Sequence, residues 1–374
     1  MTECKRDPIR KYPQKPRTKD ALPSIPIENI PQTKLIPLTR IIHDYDRINA
    51  DASYQFSQLI SALQTLGKSI SAVLRKSGIS QCHILGADIY QKSASELTSL
   101  LVDLAIKLIE TSNSTCLILT KNVKDVIKVP KEHSGRYIVA ISVLDKKITP
   151  HATTCAGTLF CIFKRADEII DVIPDEVLQP GKNAIAAGYI IYGNMTLLVL
   201  ALKKKVKTFT LDPVLGEFIL RNDEWRIPEY GYFYSVNHGT SETWDAKLEP
   251  YFNELLNSKG YEKWESRYTG SPAIDCHYAL QMGGIYLHPA NKKYPTGRLG
   301  LLYEAVPLAF VATSCGGAAI SGTNLTLEIV PEYIHDFTPL FLGSSKHISI
   351  LKSFLEGENI NIEGQEIEAN FEDK

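Results

Sequence analysis

The stretch Ser142-Val143-Leu144-Asp145-Lys146-Lys147, read with Lys121-Asn122 about one β-hairpin upstream, gathers the side chains most able to do chemistry. Hydrolysis of a phosphate monoester needs a water made nucleophilic and a leaving alkoxide stabilised. Bound Mg²⁺ does both when several carboxylates converge to hold it in tight octahedral geometry. In this stretch the one carboxylate is Asp145. Alone it holds at most a weak ion through waters, and neighbouring ammonium groups repel it. At ~4 Å and an effective dielectric of ~20, each unit-charge contact is worth on the order of 4 kcal/mol. Lys121, Lys146 and Lys147 offer a different chemistry, since cations can neutralise a phosphate without activating water. Two plainer alternatives remain open: a solvated basic turn at Lys146-Lys147, and a salt bridge joining Asp145 to Lys121 or Lys146.

The elements that must position these residues are readable in outline. Phe56, Leu59, Ile60, Leu63, Leu66, Ile70, Val73 and Leu74 recur at helical spacing, and Gly78 follows as a stop. Ser93-Ala94-Ser95-Glu96 has capping-box spacing and opens a second helix with Leu97, Leu101, Leu104, Ala105 and Leu108 on one face. Segments 116–119, 137–144 and 158–163 read as strands, and 186–202, 208–211 and 218–221 as a run of antiparallel strands. Beyond them we expect a helix over 244–258, a short strand over 283–287, an amphipathic helix over 299–312 and a last helix near 348–355. Strands first and helices interleaved later point to an α/β-layered, mostly mixed-sheet protein with two domains meeting near residue 225.

Bulk properties narrow the class. The chain has 374 residues, 44% hydrophobic and 22% charged, with net charge −1. That balance points to neither nucleic acid nor a membrane surface. No apolar run reaches the ~18 residues needed to span a bilayer. Cys4, Cys82, Cys116, Cys155, Cys161, Cys276 and Cys315 are scattered without CxxC pairs. With the lack of an apolar signal core, this reads as a reduced cytoplasmic chain. Residues 1–35 carry six prolines and are locally basic, a mobile extension or a docking arm for an acidic partner. The end, 357–374, is an acidic tail.

Several ordered stretches carry a family likeness: Leu178-Gln179-Pro180-Gly181-Lys182-Asn183, Ala186-Ala187-Gly188-Tyr189, Leu211-Asp212-Pro213, Gly216-Glu217-Phe218-Ile219-Leu220, and Gly283 through Lys293 running on to Leu301-Leu302-Tyr303-Glu304. In these the chain resembles class I fructose-1,6-bisphosphatase over roughly residues 36–356. The resemblance implies the layered α-β-α-β-α sandwich of the Li⁺-sensitive phosphatase superfamily. It also implies an N-terminal, AMP-type α/β domain over 36–225, a C-terminal sugar-phosphate-binding α/β domain over 226–356, and a homo-oligomer, tetramer or dimer.

The resemblance also says where six metal-gathering acids should fall. Those positions here are Thr98, Lys121, Asn122, Ser142, Asp145 and Glu304, and the following Gly-Ser-Ser is Lys146-Lys147-Ile148. Asp145 and Glu304 are thus vestigial ligands, two carboxylates that hold at most a weak ion or pair with Lys121 or Lys146; no metal or cofactor is expected, and the implied Mg²⁺ belongs only to the alternative of an active phosphatase. The substrate pocket matches better: Asn237 and Tyr268 stand where the family contacts the non-transferred phosphate. Arg267 matches an arginine reaching into a neighbouring subunit, and Arg298 replaces a phosphate-binding lysine. Thr240 and His288 stand where the family has tyrosines. The AMP-loop counterpart, Asn49 to Ser57, has no glycine, and Asp51 opposes a phosphate, so AMP regulation is not expected. The reading is a fructose-1,6-bisphosphatase-like protein, inactive or severely impaired, that binds phosphosugar or assembles with active family subunits. The alternatives are an active enzyme of gluconeogenesis and a scaffold.

Overall fold

The computed structural model describes residues 35–48, 54–76, 83–84, 87–88, 93–146, 155–165, 171–203, 205–257 and 264–357. The N-terminal extension, the segment around Asn49 and Asp51, Gly78, Lys147 and Ile148, and the acidic tail beyond Gly357 lie outside the described residues.

Helices α1 (Leu38–Ile48), α2 (Tyr54–Lys76) and α3 (Ala94–Glu110) form the first layer. The expected capping box is present: Ser93 Oγ accepts from the Glu96 amide, and the Glu96 carboxylate accepts from the Ser93 amide. Two donors that the helix start would otherwise leave unpaired are thereby satisfied.

Against these helices lies an eight-stranded sheet. Its strands in chain order are β1 (Thr115–Thr120), β2 (Ile127–Lys128), β3 (Tyr137–Ser142), β4 (Ala156–Lys164), β5 (Ala186–Tyr192), β6 (Thr196–Leu202), β7 (Lys205–Asp212) and β8 (Glu217–Asn222). Their order across the sheet is β8-β7-β6-β5-β4-β3-β1-β2, antiparallel except for the β1–β3 pair. The period-two alternation of a strand divides its side chains between two cores. Val139, Ile141, Phe160 and Ile162 face the helical layer, while Ile138, Ala140, Leu159 and Cys161 face the opposite side.

The second sheet has six strands: β9 (Phe233–Ser235), β10 (Glu265–Ser266), β11 (Gly284–His288), β12 (Gly317–Ser321), β13 (Asn324–Leu325) and β14 (Leu340–Ser344). Its order is β10-β9-β11-β14-β12-β13. Between the sheets sit α5 (Pro272–Met282) and α6 (Val306–Ser314); α4 (Leu248–Asn257) and α7 (Ser345–Glu356) cover the outer face of the second sheet. The layers therefore run α-β-α-β-α. From Ile36 onward the chain packs as one unit. The inter-sheet core draws on both halves, with Tyr189 and Val199 beside Cys276, Tyr303 and Leu308.

Two expectations need correction. Segment 299–312 is not an amphipathic helix: Leu299–Gly300 is a two-residue strand paired with Phe337–Thr338, Leu301–Ala305 is a π-helical turn, and α6 follows. Every residue from Leu299 to Ala312 is buried, because a helix clamped between two sheets has no solvent side. The helix expected over 244–258 begins at Leu248, after a 3₁₀ turn over His238–Thr243.

Candidate functional site

Lys121 follows directly on β1, Ser142 ends β3, and Glu304 projects from the π-helical turn before α6. The parallel pairing of β1 with β3 brings the first two side by side, and the inter-sheet packing of the α6 segment brings Glu304 to both. Lys121 Nζ lies 2.7 Å from Glu304 Oε1 and 3.5 Å from the Asp145 carbonyl oxygen. The Ser142 hydroxyl donates to the same Glu304 Oε1 at 3.3 Å, and the Gly300 amide donates to Oε2 at 2.9 Å. Glu304 is only 1% exposed, while the Lys121 side chain keeps 35% of its surface. Of the pairings expected for Glu304, with Lys121 or with Lys146, the one this geometry realises is the salt bridge to Lys121.

Asp145 has a separate set of donors. Its Oδ1 accepts from the Gly157 amide at 2.9 Å, and Oδ2 accepts from the Ala273 amide at 3.0 Å and from the Ser271 hydroxyl. Ser271 caps α5 and Pro272 occupies its first turn, so the carboxylate sits where a helix presents unpaired amides. Burial pushes the Asp145 carboxyl up to about 6, against the pull of Ser271, Gly157 and Ala273. No lysine side chain pairs with this carboxylate among the described residues; Lys146 Nζ instead meets the Thr269 carbonyl oxygen at 2.9 Å. Gly157 makes the arrangement possible, since a Cβ there would lie 2.3 Å from the Ala273 Cβ.

The other former acid positions contribute no carboxylate. The Thr98 hydroxyl donates back to the Ala94 carbonyl at 2.8 Å, inside its own helix, and Asn122 is exposed. All four carboxylate oxygens of Asp145 and Glu304 are already occupied by protein donors. Among the described residues no group of three or more His, Cys, Asp or Glu side chains is placed to hold a metal. Hard divalent cations need several carboxylates converging on one point. The described residues, two carboxylates with an ammonium against one of them, do not fit a magnesium centre.

Arg298 links this region to the expected sugar-phosphate pocket. Its guanidinium lies 4.8 Å from the Tyr294 ring centre, and its charge acts on both Tyr268 and His288. Burial, then Asp275, raises the Tyr268 hydroxyl, with Arg298 opposing. Burial pushes the His288 imidazole down to about 4, Arg298 adding to it, so the ring is neutral near pH 7. His288 Nδ1 is buried without a hydrogen-bond partner among the described residues. Asn237 caps the 3₁₀ turn, its Oδ1 accepting from the Gly239 amide at 3.2 Å. Arg267 is remote in character: it stacks 5.6 Å from the Tyr278 ring centre and meets Glu265 at 3.6 Å, with both ionic side chains more than half exposed. Such an exposed pair contributes little.

Sequence reasoning missed Ser271, Ala273 and Asp275. Asp275 is buried and accepts from the Thr269 and Gly270 amides at 2.9 and 3.0 Å, fixing the loop that carries Tyr268. The Ser271-Pro272 pair was the available signal, since it marks a helix start and hence a patch of unpaired amides.

Known proteins agree with this architecture. The family profile described as fructose-1-6-bisphosphatase, N-terminal domain, matches residues 36–223, and the C-terminal domain profile matches 227–356. Fructose-1,6-bisphosphatase 1 of Bos taurus is 36% identical over 332 residues, covering 87% of this chain and 95% of that protein. The cytosolic fructose-1,6-bisphosphatase of Solanum tuberosum is 33% identical over 333 residues, covering 88% of this chain and 98% of its own length. The crystal structure of Leishmania major fructose-1,6-bisphosphatase in apo form superposes with a TM-score of 0.77 at 26% identity, covering 86% of this chain and all of that one. No helix among the described residues is long and apolar enough to cross a membrane. With the layered fold, the two domain profiles and relatives matched over nearly their full length, the chain belongs to the fructose-1,6-bisphosphatase family.

Proposed function

We propose that this chain is a cytosolic family member that holds a phosphorylated sugar without hydrolysing it. The observation that carries the reading is the engagement of every Asp145 and Glu304 oxygen by a protein donor, with the Lys121 ammonium against Glu304. Metal-assisted attack by water needs carboxylates turned to the ion, not to an ammonium. On the binding side, Tyr268 and Arg298 form one neighbourhood, and Asn237 is exposed just after β9; Lys121 and Lys146 supply cations for phosphate oxygens. Lys147, the third phosphate-binding candidate, lies outside the described residues.

Phosphate release from fructose 1,6-bisphosphate with Mg²⁺ or Mn²⁺ in excess tests this directly. The expected result is no turnover above background. Turnover at rates typical of enzymes would overturn the reading and restore the active phosphatase. Calorimetry with fructose 6-phosphate and the bisphosphate, with and without Mg²⁺, is expected to show binding that does not need the metal.

A second reading, mixed assembly with a competent family subunit, is favoured by the outward-facing surface of Arg267, Tyr278 and Met282, the latter two 41% and 55% exposed. Arg267 would complete the neighbour's pocket. Co-expression with an active family subunit followed by native mass spectrometry is expected to yield mixed oligomers, and exclusively homo-oligomers would end the idea.

A further inference from the structure

Glu304 is the most deeply buried acid of the site, at 1% exposure. A carboxylate so placed requires a counter-charge, because low dielectric leaves an isolated ion without the water that would stabilise it. In a metal-dependent centre that counter-charge is divalent and exchangeable. Here it is an ammonium carried by the chain itself, 2.7 Å from Oε1. The same Nζ reaches the Asp145 carbonyl oxygen at 3.5 Å, and Ser142 shares Glu304 Oε1. One cation therefore joins the end of β1, the turn after β3 and the π-helical turn before α6. π-Helical turns are rare and concentrate where side chains must be aimed at a site.

We propose that Lys121 is a built-in replacement for a divalent cation, holding these three segments together so that the site keeps its architecture without metal. The inference deepens the non-catalytic reading in that it assigns what organises the former metal centre. It makes a claim about metal dependence of the fold that turnover does not address. A point charge on a flexible four-carbon stem suits the role: it supplies one positive charge and up to three donors, but no open coordination position for a water.

Scanning calorimetry of the full chain in EDTA and in millimolar Mg²⁺ or Mn²⁺ tests the proposal. The unaltered chain is expected to melt at the same temperature in both. Lys121→Glu places a second carboxylate against Glu304; that variant is expected to melt several degrees lower in EDTA and to recover on adding Mg²⁺. Lys121→Arg, which keeps the cation, is expected to fold and remain insensitive to metal, and so keeps the test decisive if Lys121→Glu does not fold. Saturable stabilisation of the unaltered chain or of Lys121→Arg by Mg²⁺ would overturn the proposal, as would a folded Lys121→Glu chain indifferent to the ion. Turnover by a chain whose melting ignores metal would sink only the non-catalytic reading. Metal binding without turnover would sink only this one.

Discussion

Two neighbouring regions of the molecule treat their polar groups in opposite ways. Around Glu304 and Asp145 every carboxylate oxygen is engaged by an amide, a hydroxyl or an ammonium of the same chain. Around Tyr268, Arg298 and His288 the polar groups are half-exposed, stacked on a ring, or, in His288 Nδ1, buried without a partner among the described residues. The first region has turned its chemistry inward and contributes to the fold. The second keeps hydrogen-bonding capacity for something outside the chain. Burial explains the first pattern: an acid shut away from water must find protein donors.

Acid should expose the contrast most strongly. Burial holds His277, His288 and His347 down to about 4 from an ordinary 6.5, so each is neutral in the fold and takes up a proton on unfolding between those values. Their contribution is present above pH 6.5 and is lost as pH falls toward 4. Asp145 has the opposite sign, because its carboxyl is raised from 3.8 to about 6; its burial costs stability as pH rises through that window. Three lowered histidines against two raised aspartates, Asp145 and Asp275, leave acid net destabilising between pH 7 and 4, one proton taken up on unfolding being worth about 1.4 kcal/mol for each pH step of one. Denaturant unfolding at a series of pH values checks this, and His288→Gln should flatten part of the slope.

Next in size is an asymmetry within the ion pair. Lys121→Met strands the buried Glu304 carboxylate and should lower stability by about 3 kcal/mol. Glu304→Gln should cost about 1 kcal/mol, since the partly exposed ammonium can regain water. Equal losses in chemical denaturation would contradict the inward-turned description of this region. Gly157→Ala should cost about 2 kcal/mol, through the clash with Ala273 beneath Asp145. Smallest in stability is Arg298→Met, at an exposed side chain, expected to shift unfolding by less than about 0.5 kcal/mol. Its effect should fall on binding instead, weakening fructose 6-phosphate about tenfold by calorimetry, the loss of one charge-assisted contact worth about 1.4 kcal/mol.

Much of the scaffold is legible in the residues themselves. The 56–74 stripe and the Ser93–Glu96 spacing are local signals, and helices stand over both. The π-helical turn at Leu301 and the all-buried α6 were not legible, because periodicity cannot tell a helix packed on one side from one clamped between two sheets. The pairing of Lys146 was open in the sequence, and the structure sends it to a backbone carbonyl rather than to either acid.

The sequence alone determined the family and the residue types Thr98, Lys121, Asn122 and Ser142 within the span that carries the likeness, because those are matters of residue identity in register. Only the tertiary structure decided what the two remaining acids do. Lys121 and Glu304 are 183 positions apart, and Asp145 and Ala273 are 128 apart, so no local pattern announces either contact. Those partners were chosen by the packing of the layers, which excludes water from the carboxylates and leaves them only the donors that the fold brings within reach.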